Sequence, residues 1–358
     1  MRLERAERAR VLDALRALDL GQVQLMEVCG THTMSIAASG LKSLLPDNIR
    51  LLSGPGCPVC VTPPGLIDAM LELSMRPGVI VASYGDMLRV PGSRRGDSLQ
   101  LRRALGAQVE VVYSPVDAVA LAKTRPDREV VFIGVGFETT APGTAAAILT
   151  ARDEGVENFS VLSMLKTVEP ALRALIAQEG FAVDGFICPG HVASIIGARG
   201  FEFLPGDYGL PAVVAGFEAD DILIAIYRLA RQLAAGEARL ENEYTRGVTH
   251  GGNALAQRML SACFTPCAAQ WRGLGEIDSS GLAICASLSQ FDAEKKFGVR
   301  PAPGGGESAC RCGEVICGQL RPEGCPLFGG ACTPQEPVGP CMVSSEGACA
   351  AAYKYGQL

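Results

Sequence analysis

The sequence predicts an α/β protein in which two related lobes, each built on a parallel sheet, precede a third, cysteine-rich domain. Short apolar, β-branched runs alternate with helical patterns between residues 48 and 238, as in chains with crossover helices. Loops that carry cysteine, histidine or glutamate follow several of these runs. Seven of the fourteen cysteines then fall within the last fifty residues, which sets the third domain apart.

Length and composition indicate a folded chain. It has 358 residues, of which 48% are hydrophobic, and a mean hydropathy of +0.22, enough for two or three domains with hydrophobic cores. Its 32 basic and 38 acidic residues are spread along the chain, which argues against a nucleic-acid-binding surface. No apolar run approaches the roughly 20 residues that cross a bilayer, and the N-terminus lacks a leader pattern. We therefore expect a cytoplasmic protein whose cysteines serve metal binding or redox chemistry.

The first segment, residues 1–47, is predicted to hold a helix and a reactive loop that pack with the C-terminal domain. Apolar residues recur at helical spacing within residues 3–18. A short strand pattern from residue 25 then runs into Cys29 and His32. A thiol and an imidazole three residues apart can bind one metal ion or form a thiolate–imidazolium pair. The alternative is a buried cysteine beside a capping threonine.

Two α/β lobes follow, over residues 48–125 and 126–238. In the first lobe we predict strands over 49–53, 78–83 and 108–113 and helices over 64–75, 97–105 and 115–124. In the second we predict strands over 129–135, 159–164, 183–188 and 211–216 and a long helix over 218–235. In such sheets ligands bind beyond the carboxyl ends of the strands, where the unusual loops of this chain also fall.

The loop after the strand at 49–53 contains a C-P-x-C motif, Cys57-Pro-Val-Cys60. A thiol at a helix N-terminus has its thiolate stabilised by the helix dipole, and a second thiol three positions on can close a disulfide with it. The motif therefore predicts a thioredoxin-type redox pair, and two metal ligands are the alternative.

An acid, Glu138, is predicted to be held where the first strand of the second lobe ends. The glycines around it miss the G-x-G-x-x-G spacing, and no Gly-Lys-Ser/Thr follows, so nucleotide binding is not indicated. Glu138 itself is the candidate site residue of this loop. Two further strand-end loops carry Asp86 and the pair Cys188 and His191, for which a structural role is the simpler interpretation.

The third domain, residues 239–358, ends in cysteines flanked by glycine and proline. Disulfides would need an oxidising compartment, and structural zinc commonly takes paired C-x-x-C knuckles, which the tail lacks. An iron–sulfur cluster of the [4Fe-4S] type tolerates irregular spacing and is the interpretation that we favour. Its predicted ligands are the last four cysteines, which six, eight and seven residues separate: Cys325, Cys332, Cys341 and Cys349. Three earlier cysteines of the domain are predicted to be buried small hydrophobes: Cys263, Cys267 and Cys285.

Together these motifs resemble one family, the HypD-type maturation factors of [NiFe] hydrogenases, over nearly the whole chain. The resemblance rests on six stretches in this order: M-E-V-C-G-T-H-T at 26–33, G-P-G-C-P-V-C at 54–60, Y-G-D-M-L-R-V-P-G at 84–92, G-F-E-T-T-A-P at 136–142, C-P-G-H-V at 188–192 and C-M-V-S-S-E-G-A-C at 341–349. It implies two α/β domains, a third domain with a [4Fe-4S] cluster, and a role as the scaffold on which the Fe(CN)2CO group is assembled.

By matching motif, the resemblance also implies roles for single residues. Cys29 would be the ligand of the scaffold to the iron, and His32 beside it would orient ligands or donate a hydrogen bond. Cys57 and Cys60 would be the redox pair, and the last four cysteines would hold the cluster. Glu346, inside the last motif, would face the same cleft.

The implied partners are a small HypC-type chaperone, which shares the iron, and a HypE-type protein, which delivers cyanide from a thiocarboxylate. The residues agree with this chemistry, because iron with cyanide and carbonyl ligands favours soft thiolate donors and its assembly needs electrons. Such a chain is a redox-active assembly scaffold rather than a conventional turnover enzyme. A cluster-containing thiol–disulfide reductase, in which Cys29 is incidental, is the alternative.

Overall fold

The strands of the protein form two parallel sheets and one antiparallel hairpin in a computed structural model that describes residues 3–299 and 309–356. The strands are Val23–Glu27 (β1), Ile49–Ser53 (β2), Val79–Ser83 (β3), Gln108–Val111 (β4), Glu129–Gly136 (β5), Phe159–Leu165 (β6), Gly185–Pro189 (β7), Ala212–Ala215 (β8), Leu240–Asn242 (β9), Phe264–Trp271 (β10) and Gly275–Ile284 (β11). The predicted α/β class is confirmed by this arrangement.

Helices join almost all of these strands. The α-helices are Arg5–Arg16 (α1), Gly30–Ala38 (α2), Pro58–Val61 (α3), Pro64–Ser74 (α4), Leu99–Ala104 (α5), Pro115–Thr124 (α6), Ala141–Asp153 (α7), Val168–Ile176 (α8), Gly190–Ile196 (α9), Phe203–Tyr208 (α10), Ala219–Ala234 (α11), Ala254–Cys263 (α12), Ala293–Phe297 (α13), Cys312–Ile316 (α14) and Ala348–Tyr355 (α15). Short 3₁₀ helices lie at Leu41–Leu44, Gly85–Arg89, Ala198–Phe201, Ala286–Phe291, Pro322–Gly324 and Pro340–Met342.

The first sheet, called sheet A, has the strand order β2-β1-β7-β8-β9, and all its neighbours are parallel. Helices α1 and α11 cover one face, where Leu15 and Ile226 pack with Leu25 and Val213. The opposite face belongs to a second core, which includes Phe186. Because both faces are covered, β7 and β8 are buried along their whole length.

The second sheet, called sheet B, has the order β4-β3-β5-β6 and is also parallel. Successive residues of β5 point to opposite faces, so Val130 and Phe132 pack beneath α6 and α7, whereas Val131 and Ile133 join the core shared with sheet A. Helix α6 begins at a capping box, in which Ser114 and Asp117 satisfy backbone N–H groups of the first turn. The presence of two parallel sheets is consistent with the prediction of two α/β lobes.

The strands divide between the sheets differently from the predicted segments. Strand β2 falls in the segment 48–125 but pairs with β1 in sheet A, whereas β5 and β6 of the segment 126–238 pair in sheet B. The chain leaves sheet A after β2, builds sheet B and returns with β7. Pairing between strands that are distant in sequence leaves no local pattern in the sequence from which it could be predicted. The predicted limits of the domains stay predictions.

The hairpin of β10 and β11 lies after residue 238, beyond the segment in which strands and helices were predicted to alternate. It is a separate two-stranded sheet that packs beside β6, where Thr167 N–H donates to Ser280 O at 2.9 Å and Ser163 Oγ–H donates to Leu282 O at 2.6 Å. Of the three cysteines predicted to be buried in this segment, Cys263 is buried, whereas the other two, Cys267 and Cys285, are partly exposed. Within the described ranges, no helix is both long and apolar enough to traverse a membrane.

Candidate metal and redox site

Cys29 lies at the carboxyl edge of sheet A, where β1 has ended and α2 begins. Its extended backbone caps α2, and its N–H donates to Glu27 Oε2 at 3.0 Å. Burial, with the nearby Glu346 carboxylate, raises the pKa of the thiol to about 12, although the amides of Thr31 and His32 favour the thiolate. Such a thiol stays protonated until a cation takes the place of its proton.

The His32 ring is fully buried and ties α2 to the end of β8. Nε2 lies 2.9 Å from Gly216 O, so Nε2 carries the proton, and the ring stacks on Phe217 with 5.1 Å between centroids. Nδ1 is buried without a hydrogen-bond partner in the described part of the chain. Burial lowers the pKa of His32 to about 4, so the ring is neutral at pH 7. Its role toward iron stays a prediction.

The C-P-V-C loop packs directly against the backbone of Cys29. A disulfide joins Cys57 and Cys60, and Cys60 N–H donates to Cys57 Sγ at 3.2 Å across the start of α3. Gly30 N–H donates to Gly56 O at 3.0 Å. A Cβ atom at Gly56 would overlap the backbone of Cys29, so this approach requires glycine. The predicted iron ligand and the predicted redox pair are therefore neighbours.

The chain returns to this edge with Ser344, Ser345 and Glu346, a segment that we call the tail latch. Ser344 Oγ lies 3.4 Å from Cys57 Sγ. Ser345 donates to Asp86 Oδ2 from its N–H at 3.2 Å and from its hydroxyl at 2.7 Å. Asp86, for which the sequence favoured a structural loop role, thus holds the latch against the end of β3.

Glu346 completes the latch at the Cys29 loop. Thr31 Oγ1–H donates to Glu346 Oε1 at 2.7 Å, and a Cβ atom at Gly30 would overlap Glu346. Burial raises the pKa of the Glu346 carboxyl. The structure thus brings together Cys29, Cys57, Cys60 and Glu346, which come from three distant parts of the chain.

Glu27 is a site residue that sequence reasoning missed. It is 2% exposed, and its carboxylate accepts the Cys29 N–H and the Thr33 hydroxyl. Burial raises the pKa of Glu27 to about 7. The sequence did contain a signal for Glu27, because it is an acid at the end of an otherwise apolar strand, two residues before Cys29.

Glu138 lies at the carboxyl end of β5 in sheet B. Its Oε1 accepts the Val168 N–H at 2.9 Å, and its Oε2 is buried without a hydrogen-bond partner among the residues described. Burial raises the pKa of Glu138 to about 7. No described hydrogen bond or ion pair links Glu138 to Cys29 or Cys57, so the geometry leaves it apart from the site at sheet A.

The cysteine tail surrounds a cavity. Apolar side chains, among them Leu327, Phe328 and Met342, form part of its wall. Six cysteines also line it: Cys310, Cys312, Cys325, Cys332, Cys341 and Cys349. The four predicted ligands are all present, together with two cysteines that were not chosen. Cys317 is outside this cavity, with its Sγ 3.7 Å from Gly273 O.

The thiols of this cavity interact with one another. Cys341 Sγ lies 3.5 Å from Cys312 Sγ, and hydrogen bonds from Cys310 and Cys341 hold the pKa of Cys312 well below its usual range. Val338 N–H donates to Cys332 Sγ at 3.3 Å. Across the described ranges, no three metal-ligating side chains converge as a single ion requires. Soft sulfur donors, an apolar wall and an amide donor to sulfur fit an iron–sulfur cluster.

Comparison with known proteins gives the family. The model of the Hydrogenase formation hypA family, HypD, matches residues 7–356. The hydrogenase maturation factor HypD of Rhodobacter capsulatus is 46% identical over 359 residues, covering 98% of this chain and 94% of that protein. The factors of the same name from Azotobacter vinelandii and Escherichia coli (strain K12) are 47% and 46% identical, each covering 94% of this chain and 90% of the relative. The chain therefore belongs to the HypD family of hydrogenase maturation factors.

Proposed function

We propose that this chain is the scaffold on which the Fe(CN)2CO group of a [NiFe] hydrogenase is assembled, with Cys29 as its ligand to the iron. The observation that carries the proposal is the meeting of the Cys29 loop, the Cys57–Cys60 disulfide and the tail latch at one edge of sheet A. A soft thiolate donor for the iron and a dithiol that exchanges two electrons are thereby adjacent.

The cysteine cavity supports a resident [4Fe-4S] cluster, held by Cys325, Cys332, Cys341 and Cys349. When bound, a cluster supplies single electrons. The residues of the chain hold and shield it: Val338 N–H donates to the sulfur of one predicted ligand, and the apolar wall limits access of water. These are the features that support cluster binding.

The relatives are named hydrogenase maturation factors, so other maturation proteins are the expected partners. We propose two of them, a small HypC-type chaperone that shares the iron and a HypE-type protein that delivers cyanide. Both would meet the chain in the cytoplasm, at the Cys29 edge of sheet A. His32 and Glu346 are proposed to assist there, as the resemblance implies, and Glu138 is proposed to take part from the end of sheet B.

Infrared spectroscopy tests the scaffold directly. Protein purified without oxygen together with the HypC-type partner should show cyanide and carbonyl stretches. The Cys29→Ala variant should fold and keep its visible absorbance but lose these stretches, because the iron loses its thiolate. Cys263→Ala, which removes a buried thiol elsewhere, should keep them. A Cys29→Ala variant that matures hydrogenase normally would refute the assignment.

A cluster-containing thiol–disulfide reductase is the second candidate, and the Cys57–Cys60 disulfide at the start of α3 favours it. This candidate predicts rapid disulfide exchange with a protein substrate and no cyanide or carbonyl stretches in any preparation. Stretches that depend on Cys29 exclude it.

A further inference from the structure

Ser344 lies between the disulfide and the acid of the tail latch. Its hydroxyl is 3.4 Å from Cys57 Sγ and also accepts the Glu346 N–H at 3.2 Å. The side chain is 1% exposed, so water does not compete for these contacts. One hydroxyl thus contacts both the redox pair and the backbone that carries Glu346.

Glu346 in turn contacts the first turn of α2. Its carboxylate accepts the Thr31 hydroxyl at 2.7 Å, and it packs so closely on Gly30 that a Cβ atom there would overlap it. Gly30 and Thr31 directly follow Cys29. A displacement of Glu346 therefore uncovers or shifts the turn that surrounds the Cys29 thiol.

Reduction of the disulfide changes what Ser344 contacts. A dithiol reductant supplies two electrons and two protons; the bond between Cys57 and Cys60 breaks, two thiols form, and the reductant becomes a disulfide. The two sulfur atoms then separate from about 2 Å to van der Waals distance, about 3.5 to 4 Å. Both cysteines are buried, and Ser344 is the neighbour of Cys57, so a shift of the Cys57 sulfur is transmitted to Ser344.

The direction of the hydrogen bond changes as well. A disulfide sulfur has no proton, so Cys57 can only accept the Ser344 hydroxyl, whose lone pairs stay available to Glu346 N–H. A thiol can donate to Ser344 Oγ, which then accepts from both Cys57 and Glu346 N–H and must turn its own proton away from the sulfur. Reduction thus reorients the hydroxyl that contacts the backbone of Glu346.

We propose that Ser344 is a positioning residue that couples the redox state of the Cys57–Cys60 pair to the accessibility of the Cys29 thiol. The disulfide holds the latch closed over Cys29, and the dithiol releases it. The inference rests on the proposed function, since it assigns a redox gate to the same iron-binding thiol.

Alkylation of Cys29 tests the coupling in the full chain under anaerobic conditions. The initial rate of Cys29 modification by iodoacetamide is measured by peptide mass spectrometry before and after reduction with dithiothreitol. The reduced wild type should react about threefold faster or more, the size expected when one hydrogen bond is lost. In Ser344→Ala the two rates should be equal, because the link is missing in both states.

Two further variants complete the test. Ser43→Ala removes a serine hydroxyl that contacts Gly40 O, away from the disulfide and the tail latch, and should keep the wild-type ratio of the two rates. Thr31→Val breaks the hydrogen bond to Glu346 at the other end of the link. In this variant the alkylation rates of Cys29 before and after reduction should be equal, which tests the coupling even if Ser344→Ala folds poorly. The coupling is overturned if reduction does not change the alkylation rate of Cys29 in the wild type. It is also overturned if reduction accelerates alkylation in Ser344→Ala or Thr31→Val as much as in the wild type. Neither result bears on the infrared test, whose failure would overturn the scaffold alone.

Discussion

At the scale of single residues, burial sets the protonation of the acids near the strand ends. The carboxyls of Glu27 and Glu138 each have a pKa raised to about 7, in both cases mainly because the charged form loses its hydration. One lies at sheet A and the other at sheet B. Each sheet therefore ends in a carboxyl that can gain or lose a proton near neutral pH, which is the property of a general acid or base.

Glu138→Gln should change how stability depends on pH. The pKa of Glu138 is raised from its usual 4.5 to about 7, so the folded protein retains a proton that the unfolded chain has lost between these values. The stability contributed by Glu138 is therefore full below pH 4.5 and is lost as pH rises through 7. Glutamine does not titrate, so the variant should gain up to about 3 kcal/mol relative to wild type from pH 4.5 to 8.

Urea unfolding at several pH values measures this difference. Glu179→Gln, at an exposed carboxylate, serves as the control for the general effect of removing a charge. A Glu138→Gln difference that stays constant with pH contradicts a raised pKa at this residue.

At the scale of elements, close backbone approach joins α2 to the tail latch. Gly30→Ala should push Glu346 away, because the new Cβ would overlap its Cβ and carbonyl oxygen. We expect a loss of about 1 to 3 kcal/mol in the free energy of unfolding, as for other overpacked sites, and faster alkylation of Cys29. Gly21→Ala is the matched control, since no atom lies within 4 Å of its added Cβ. Equal stability of the two variants would show that the latch tolerates the overlap.

From the lining of the cysteine cavity we predict which thiols are needed for the visible absorbance of a bound cluster. Cys332→Ser or Cys341→Ser should bleach the brown protein purified without oxygen, because each removes a predicted cluster ligand from the cavity. Cys317→Ser should keep the colour, since this thiol lies beside Gly273 and outside the cavity. Iron and sulfide analysis with visible absorbance measures the outcome.

Cys310 and Cys312 decide the ligand set, because both line the same cavity. Retained colour in both serine variants supports the last four cysteines as ligands. Bleaching in either variant would place that cysteine among the ligands, and one equivalent of zinc without iron would contradict the cluster altogether.

Local elements followed from the sequence, whereas long-range pairing did not. The strand at 49–53 and the helix at 115–124 have their predicted limits, because strong periodicity and a capping box define them. Strand β10 escaped prediction, since proline and alanine in its sequence are poor strand formers. The role of Ser344 depends on its contact with Cys57, which only the folded chain brings near, whereas Glu27 contacts residues close to it in sequence and could have been found from its position before Cys29.

At the scale of the whole molecule, the latch brings the cysteine cavity close to the disulfide. Ser344 contacts Cys57, and Cys341, which lines the cavity, is three residues away along the chain. Three residues span at most about 11 Å between Cα atoms. The cavity and the disulfide are therefore close to each other, as an electron path between the proposed cluster and the dithiol would require.

Substitution of the disulfide cysteines tests this electron path. Cys57→Ser and Cys60→Ser should each abolish hydrogenase maturation, because neither variant can cycle between dithiol and disulfide. Both should keep the brown colour, since neither residue lines the cysteine cavity. Maturation assays in cells and visible spectra of the purified variants measure the two properties. Assembly of the iron group by the double serine variant would reduce these thiols to a packing role.

The split of sheet A along the chain has a consequence during synthesis. Strand β1 needs β7 as its second neighbour, and about 130 residues separate the end of β2 from the start of β7. At about 5 to 20 residues per second, the ribosome takes roughly 7 to 26 s to deliver that neighbour. Sheet B can form within this interval, whereas Cys29 stays uncovered until Glu346 has emerged. The nascent chain thus covers Cys29 only after the strands of both parallel sheets have been made.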